Sequence, residues 1–509
     1  MPGGRVVFSP VDTVSYSNLV GFIFIFNLIV GTGALTLPGV FSKAGWCLSL
    51  VVIIILAIIS YITVTFVIES MAGANAIKNW QSLQVLRHRR SSNEDEDNER
   101  FFNAAASETT PLTIQNVEFH YYQLTHKFEL GEMATIFFND FGRILFYLCF
   151  IIYLYGDLSI YSAVVAKSLR DVICEHEHSN TSDITKLESN SIQYLGNFEG
   201  NETNERACWK DHTISRLIMY RIILIGFTLI FGPLAVLSIQ KTKYLQILTA
   251  VFRCLAFTLM ICIALKMLAT DGARGRPVAI NFYGIPSLFG ACVYSFMCHH
   301  SLPSLLEPLR SKSMVAKILS YDYIVICTFY IVLAMTGIFA FEHVEDLYTL
   351  NFLPYQGVHN SFSSTFFVVI DYFLSLFPVF TLSTSFPLIA ITLKNNLQTL
   401  FLDMSHYDSY SIFIRLLFPL LAILPPFFVT YFTENLSTLV AFTGSYAGVG
   451  IQYVIPVFLV YFSRKTCCEL LGSGIINYFQ SPFQSNAWLA LVSTWSIVSV
   501  FLVTINLFT

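Results

Sequence analysis

Charge is what this sequence has least of. Only 12% of its 509 residues are Asp, Glu, Lys or Arg, while 55% are hydrophobic; a soluble domain carries about twice that charge. A chain this poor in charge cannot cover a water-facing surface, and a multi-pass membrane protein is the class that remains. The charges nearly cancel, 29 basic against 33 acidic, so no bulk field draws nucleic acid. Absent too is the basic region with a short apolar core that marks a cleavable signal peptide. Nucleophile motifs, phosphate loops and spaced histidine clusters are also missing. No enzyme activity, catalytic residue, resident metal or cofactor is therefore expected.

What the chain has in quantity is long apolar runs. A membrane helix needs about 20 such residues, and about eleven stretches qualify. They are 19–38, 46–71, 144–168, 217–239, 244–268, 285–306, 318–341, 362–393, 412–432, 436–462 and 488–508. This predicts an all-α integral membrane protein divided as follows: a cytosolic tail, 1–18; helices 1 and 2, 19–73; a cytosolic, largely disordered linker, 74–140; helix 3, 141–168; an extracytosolic loop, 169–213; and helices 4 to 11, 214–509.

With the tail in the cytosol, Arg87, Arg89, Arg90, Lys241, Lys243, Arg310, Lys312, Lys317, Lys394, Arg464 and Lys465 all fall on the cytosolic side, Arg274 and Arg276 being exceptions. That is the bias that sets membrane topology. The same assignment puts the loop holding Cys174 and Cys208 outside, where a disulfide is an option. Two glycosylation sequons, at Asn180 and Asn201, lie in that loop. An odd number of helices leaves the C-terminus extracytosolic.

The first segment has a weak middle. Gly31-Thr32-Gly33 lies halfway along it, and each glycine costs about 1 kcal/mol of helix relative to alanine. Backbone opened at that depth is tolerated only where it lines a cavity or meets a ligand. The half-helix starting there directs N–H groups at an anion while released carbonyls receive a cation. The alternative is a small-residue packing face. An inverted-repeat transporter should repeat the interruption five helices on, and the sixth segment, Pro286 to Pro303, is broken by glycine, serine and proline.

Polar groups elsewhere in the apolar runs add to the picture. Ser383, Thr384 and Ser385 in the eighth segment offer hydroxyls for a hard cation or for local backbone bonding. Asp157, after Tyr153-Leu154-Tyr155-Gly156, and Arg253 in the fifth segment are intramembrane charges. Such charges mark function by default. They are expected to pair, or Arg253 to stand in place of a coupling cation. His299 and His300 are adjacent, so they diverge by about 100° on a helix and cannot chelate one ion together; a gate or protonation role for one of them is expected.

Asn27-Leu28-Ile29-Val30-Gly31-Thr32-Gly33-Ala34-Leu35, the following Ala44-Gly45-Trp46 and the stretch Phe296 to Pro303 resemble the amino acid/auxin permease family, which includes the sodium-coupled neutral amino acid transporters. Phe26 to Leu37, Thr65 to Ala72 and Tyr153 to Leu158 are similar to one branch of it.

The resemblance covers most of the helical chain, but not the linker or the outer loop. It implies a leucine-transporter-like core, a 5+5 inverted repeat with unwound helices 1 and 6, and an added eleventh helix. It implies that the backbone of Thr32, Gly33 and Ala34 receives a substrate carboxylate, that unwound carbonyls around Gly290, Ala291, Cys292 and Val293 receive its amine, and that Asn27 sits at a cation site with Ser383 or Ser385; Gly31, Tyr294 and Thr384, beside them, complete the candidate site. Arg253 departs from the sodium-coupled pattern, which leaves sodium, a proton or no coupling ion open.

The expected activity is secondary active transport of a small amino acid or similar zwitterion by alternating access, at the plasma membrane or an endolysosomal membrane. The rival is a non-transporting nutrient sensor on the same fold. Expected partners are the small-molecule substrate, membrane lipid and, at the 74–140 linker, a cytosolic protein; nucleic acid is not among them.

Overall fold

The computed structural model describes residues 17–101, 121–174, 208–209, 214–236, 243–353, 362–402, 411–472 and 474–508. Among these the chain is helical, with no strand. Among the described residues nine helices are long and apolar enough to cross a membrane, or ten if one bent pair counts as a single span. Their composition fits lipid contact. On α12 (Ile412–Phe432) Leu416, Leu420, Leu424 and Phe428 are exposed while Phe418 and Ala422 are buried, so one helix face is turned outward and one into the protein.

The bent pair is α1 (Asn18–Ile29) and α2 (Thr32–Ala44), which meet at 52°. Next comes α3 (Trp46–Phe101). It runs far past the predicted end of the second segment, so the first part of the linker is helical, contrary to the expectation of disorder. The chain returns through α4 (Leu130–Phe137) to α5 (Asp140–Ile173). Then follow α6 (Arg216–Phe231) and α7 (Lys243–Asp271). The sixth predicted segment is two short helices, α8 (Ile285–Ser295) and α9 (Leu302–Leu306). Beyond it lie α10 (Val315–Ala340), α11 (Phe362–Phe401), α12, α13 (Leu436–Thr443), α14 (Ile455–Leu471) and α15 (Asn486–Phe508). Between α13 and α14 the helix widens into π turns, Gly444–Gly448 and Gly450–Val454.

The packing has two centres, joined where α13 packs on α8 and where α7 packs on both α10 and α11. Helix α5 is central to one, against α6, α11, α12 and α13; in the other, α2 packs on α8 and α10, and α3 on α14. Buried ion pairs tie each group. At one end of α5, Arg170 bonds Asp171 and Glu434, and Arg216 bonds Asp171 at 2.6 Å. Beside them Cys174 and Cys208 form the disulfide that their shared loop suggested. Asn180 and Asn201 lie outside the described residues.

In the other group Glu69 of α3 is buried and takes two bonds from Arg464 of α14, at 2.8 Å each. Glu69 also accepts from the Ser481 backbone N–H at 3.0 Å. Removing one partner of a buried pair strands the other. Glu69→Ala is therefore expected to cost about 3 kcal/mol of stability, read as a lowered unfolding midpoint in detergent. An unchanged midpoint would show that the cluster is solvated.

Candidate functional site

The two interruptions lie side by side. Gly31 caps α2, and its neighbour Gly33 allows the close approach. A Cβ on Gly33 would stand 2.6 Å from the Cα of Ser295, the last residue of α8, whereas nothing beyond Ile29 O at 4.0 Å limits Gly31. Tyr330 of α10 bridges the pair. Its hydroxyl donates between the carbonyls of Ile29, 3.0 Å away, and Ser295, 2.9 Å away.

A cavity of about 770 Å³ opens from this junction. At its inner end stand Asn27, Gly31, Thr32, Gly33, Tyr294 and Arg253; Asp157 and Tyr161 of α5 face them, and Glu129, Glu132, Asn395 and Thr399 stand at the far end. Those last residues are exposed, so the cavity meets solvent at the end where the linker returns. Beyond Gly33 no residue of α2 lines it, and from α8 only Tyr294 does. Its lining therefore stops at the helix breaks.

Arg253 does not pair with Asp157. Its Nη1 donates to the carbonyls of Asn27 at 2.7 Å and Val30 at 3.1 Å. These are carbonyls that the α1 break releases, so the guanidinium sits where a cation would be held. Asp157 instead accepts a 2.6 Å bond from the Tyr294 hydroxyl, which lies 3.1 Å from the Thr32 hydroxyl. A chain of three side chains thus runs from α5 through α8 to the first turn of α2.

Several other predicted residues fall elsewhere. Gly290, Ala291, Cys292 and Val293 lie within α8 and do not line the cavity, because the second break comes later, at Phe296–Ser301. Gly290 serves packing: a Cβ there would meet Ala441 O at 2.4 Å. Ala34 is also outside the cavity, and its N–H bonds Gly31 O. Of Ser383, Thr384 and Ser385 only Ser385 lines the cavity, and Thr384 and Ser385 both bond back to Thr381 O. Asn27 reaches it too, and its side-chain oxygen is buried without a partner.

The histidines diverge. His299 is fully buried against α3, with Nε2 2.9 Å from the Thr63 hydroxyl. His300 lines the cavity against the rings of Phe150 and Tyr153. Tyr294, expected at the site, does line the cavity, and its hydroxyl contact with Asp157 and the Tyr330 bridge between the two breaks are additions to the sequence expectation. A tyrosine amid apolar residues was a usable signal, since a buried phenol needs a partner.

The sequence matches the family described as transmembrane amino acid transporter protein over residues 15–79 and 117–467. The chain belongs to that family. It is similar to the Transmembrane protein 104 homolog of Drosophila melanogaster, 68% identical over 504 residues with 97% of each chain covered. It is also similar to Transmembrane protein 104 of Gallus gallus at 43% identity and of Homo sapiens at 41%, each covering 97% of this chain and 96% of the relative. The family likeness read from the first segment, and the branch indicated by Tyr153 to Leu158, are both sustained by these matches.

Proposed function

We propose that the protein is a secondary transporter that moves a small amino acid or similar zwitterion by alternating access, without covalent chemistry. The observation that carries this reading is one cavity walled by two broken helices, with the first turn of α2 at its inner end. Thr32 and Gly33 open α2 there, and a helix N-terminus favours a carboxylate. We read the helices as a leucine-transporter-like 5+5 inverted repeat plus one. The α5 group then forms the scaffold and α1–α3, α8 and α10 the part that rocks. With the linker cytosolic, the cavity is open inward and the C-terminus lies outside, at the cell surface or in an endolysosomal membrane. Arg253 takes the coupling cation's place, so sodium is not required.

Uptake of a pooled radiolabelled amino-acid mixture into proteoliposomes, with sodium, proton or no gradient, tests this. Uptake without sodium is expected. A folded protein that takes up nothing under any gradient would end the transport reading.

One observation favours a second reading, a sensor. The returning linker is pinned at the cavity rim: Asn75 bonds both the N–H and the carbonyl of His126, and Lys312 bonds the carbonyl of Leu124. Glu129, three residues after His126, lines the cavity. Occupancy of the cavity and presentation of the linker to a cytosolic protein are thereby adjacent. Saturable binding without flux, together with a partner lost on deleting 102–120, would support it.

A further inference from the structure

Backbone carbonyls at helix breaks are the natural receivers of a substrate's cationic nitrogen. Here those of the first break are engaged, as is Ser295 O at the start of the second. Asn27 O and Val30 O face the Arg253 guanidinium, and Ile29 O and Ser295 O share the Tyr330 hydroxyl. An ammonium group brought to the first two would meet a fixed positive charge. Gly33 O is taken as well, by the Thr36 hydroxyl.

The carboxylates that line the cavity among the described residues are Glu129 and Glu132, at the solvent end, and Asp157 at the level of the breaks. Asp157 is buried, on a helix that makes no break, and the rings of Tyr153 and Tyr161 line the same wall. Aromatic faces next to a carboxylate suit a cationic nitrogen. The Tyr294 hydroxyl fixes the carboxylate and lies within reach of Thr32 at the head of α2. A negative group and a helix N-terminus thus stand across one short hydroxyl bridge, a separation suited to the two poles of an α-amino acid.

We infer that Asp157 is the receptor for the substrate's ammonium group, so that this site selects amine-bearing zwitterions through a side-chain carboxylate instead of through released carbonyls. The inference rests on the transport reading above and adds the element that discriminates among ligands. Tyr294 is a positioning residue for it: it holds the carboxylate's direction and joins it to the carboxylate-binding end.

The test is uptake of the pooled amino-acid mixture into proteoliposomes, with two arms. In the first, the wild-type protein is challenged with matched carboxylic acids lacking the amino group; competition at least about 30-fold weaker than by the amino acids is expected, the scale for losing one partner of a buried charge pair. In the second, Asp157→Asn is expected to reduce uptake at least about 30-fold, and Asp157→Glu to keep part of it. Equal competition by the deamino acids would overturn the inference with transport intact. So would an Asp157→Asn protein within about threefold of wild type. Should the variant fail to fold, the competition arm decides alone. Absence of any uptake by folded wild type would remove the transport reading itself, and the inference with it.

Discussion

Gly33→Val is expected to abolish amino-acid uptake, while Gly31→Ala is expected to leave most of it. The two glycines sit on either side of Thr32 and look equivalent in sequence, but only one is sterically required. Any Cβ on Gly33 stands 2.5 Å from the Ser295 hydroxyl and 2.6 Å from its Cα. The hydroxyl could rotate away; the Cα belongs to the backbone of α8, which Tyr330 and the Gly290 contact with Ala441 hold in place. Overpacking at such a point costs about 1–3 kcal/mol, and the strain falls where α2 meets the second break. Valine adds branching to the clash, so the first turn of α2 must move away from Ser295. Uptake in proteoliposomes, normalised to folded protein by size-exclusion chromatography, measures the result. A Gly33→Val protein with wild-type uptake would show that the two broken helices do not act in contact.

That distinction also shows what could be read from the sequence and what could not. Long apolar runs set the membrane class and most helix positions, because spanning a bilayer leaves little choice. The first break was visible since two glycines interrupt a short run. The second was visible only roughly: Gly290 drew attention as a helix weakener, yet it lies within α8 because close packing on Ala441, a tertiary demand, required a residue without a side chain. The opening falls instead at Phe296–Ser301, where His299 and His300 stand.

Arg253 was found because a charge amid apolar residues is conspicuous. Of the two roles expected for it, the pair with Asp157 is absent and the alternative, beside the opened first helix, agrees with its contacts, because carbonyls freed by a broken helix offset a buried charge as a counter-charge does. Those carbonyls exist only once α1 is known to open and α7 to lie beside it. The linker showed its polar composition but not its structure: the charged run Ser91 to Asp97 continues as part of α3. The returning strap from Tyr121 to Glu129 is placed by Asn75 and Lys312, across distances in the chain that no local pattern reveals.

Arg253→Ala is expected to lower uptake at least about 100-fold in sodium-free medium. Two hydrogen bonds from a charged donor are lost, each contributing about 1.5–3 kcal/mol. The carbonyls of Asn27 and Val30 then lose that donor and are left side by side with no positive charge between them. Mutual repulsion of these oxygens opposes the bend of α1 that the site depends on. Arg253→Lys should retain more activity, because an ammonium can donate to both carbonyls, though its nitrogen reaches one bond less far and lacks the planar fork.

Sodium gives the decisive contrast. On the proposed reading wild-type uptake is the same in sodium and choline, since the guanidinium already fills the place of the ion. Arg253→Ala vacates that place and leaves two carbonyl oxygens there, ligands of the kind a hard cation accepts, so sodium should restore part of the lost uptake in this variant alone. Wild-type uptake that requires sodium would show that the ion binds beside the guanidinium, and Arg253 would then be a brace for α1 instead of a substitute for the cation. Uptake of the variant unchanged in both media would show that the Asn27 and Val30 carbonyls need no partner, and the break would have to be stabilised by Tyr330 alone.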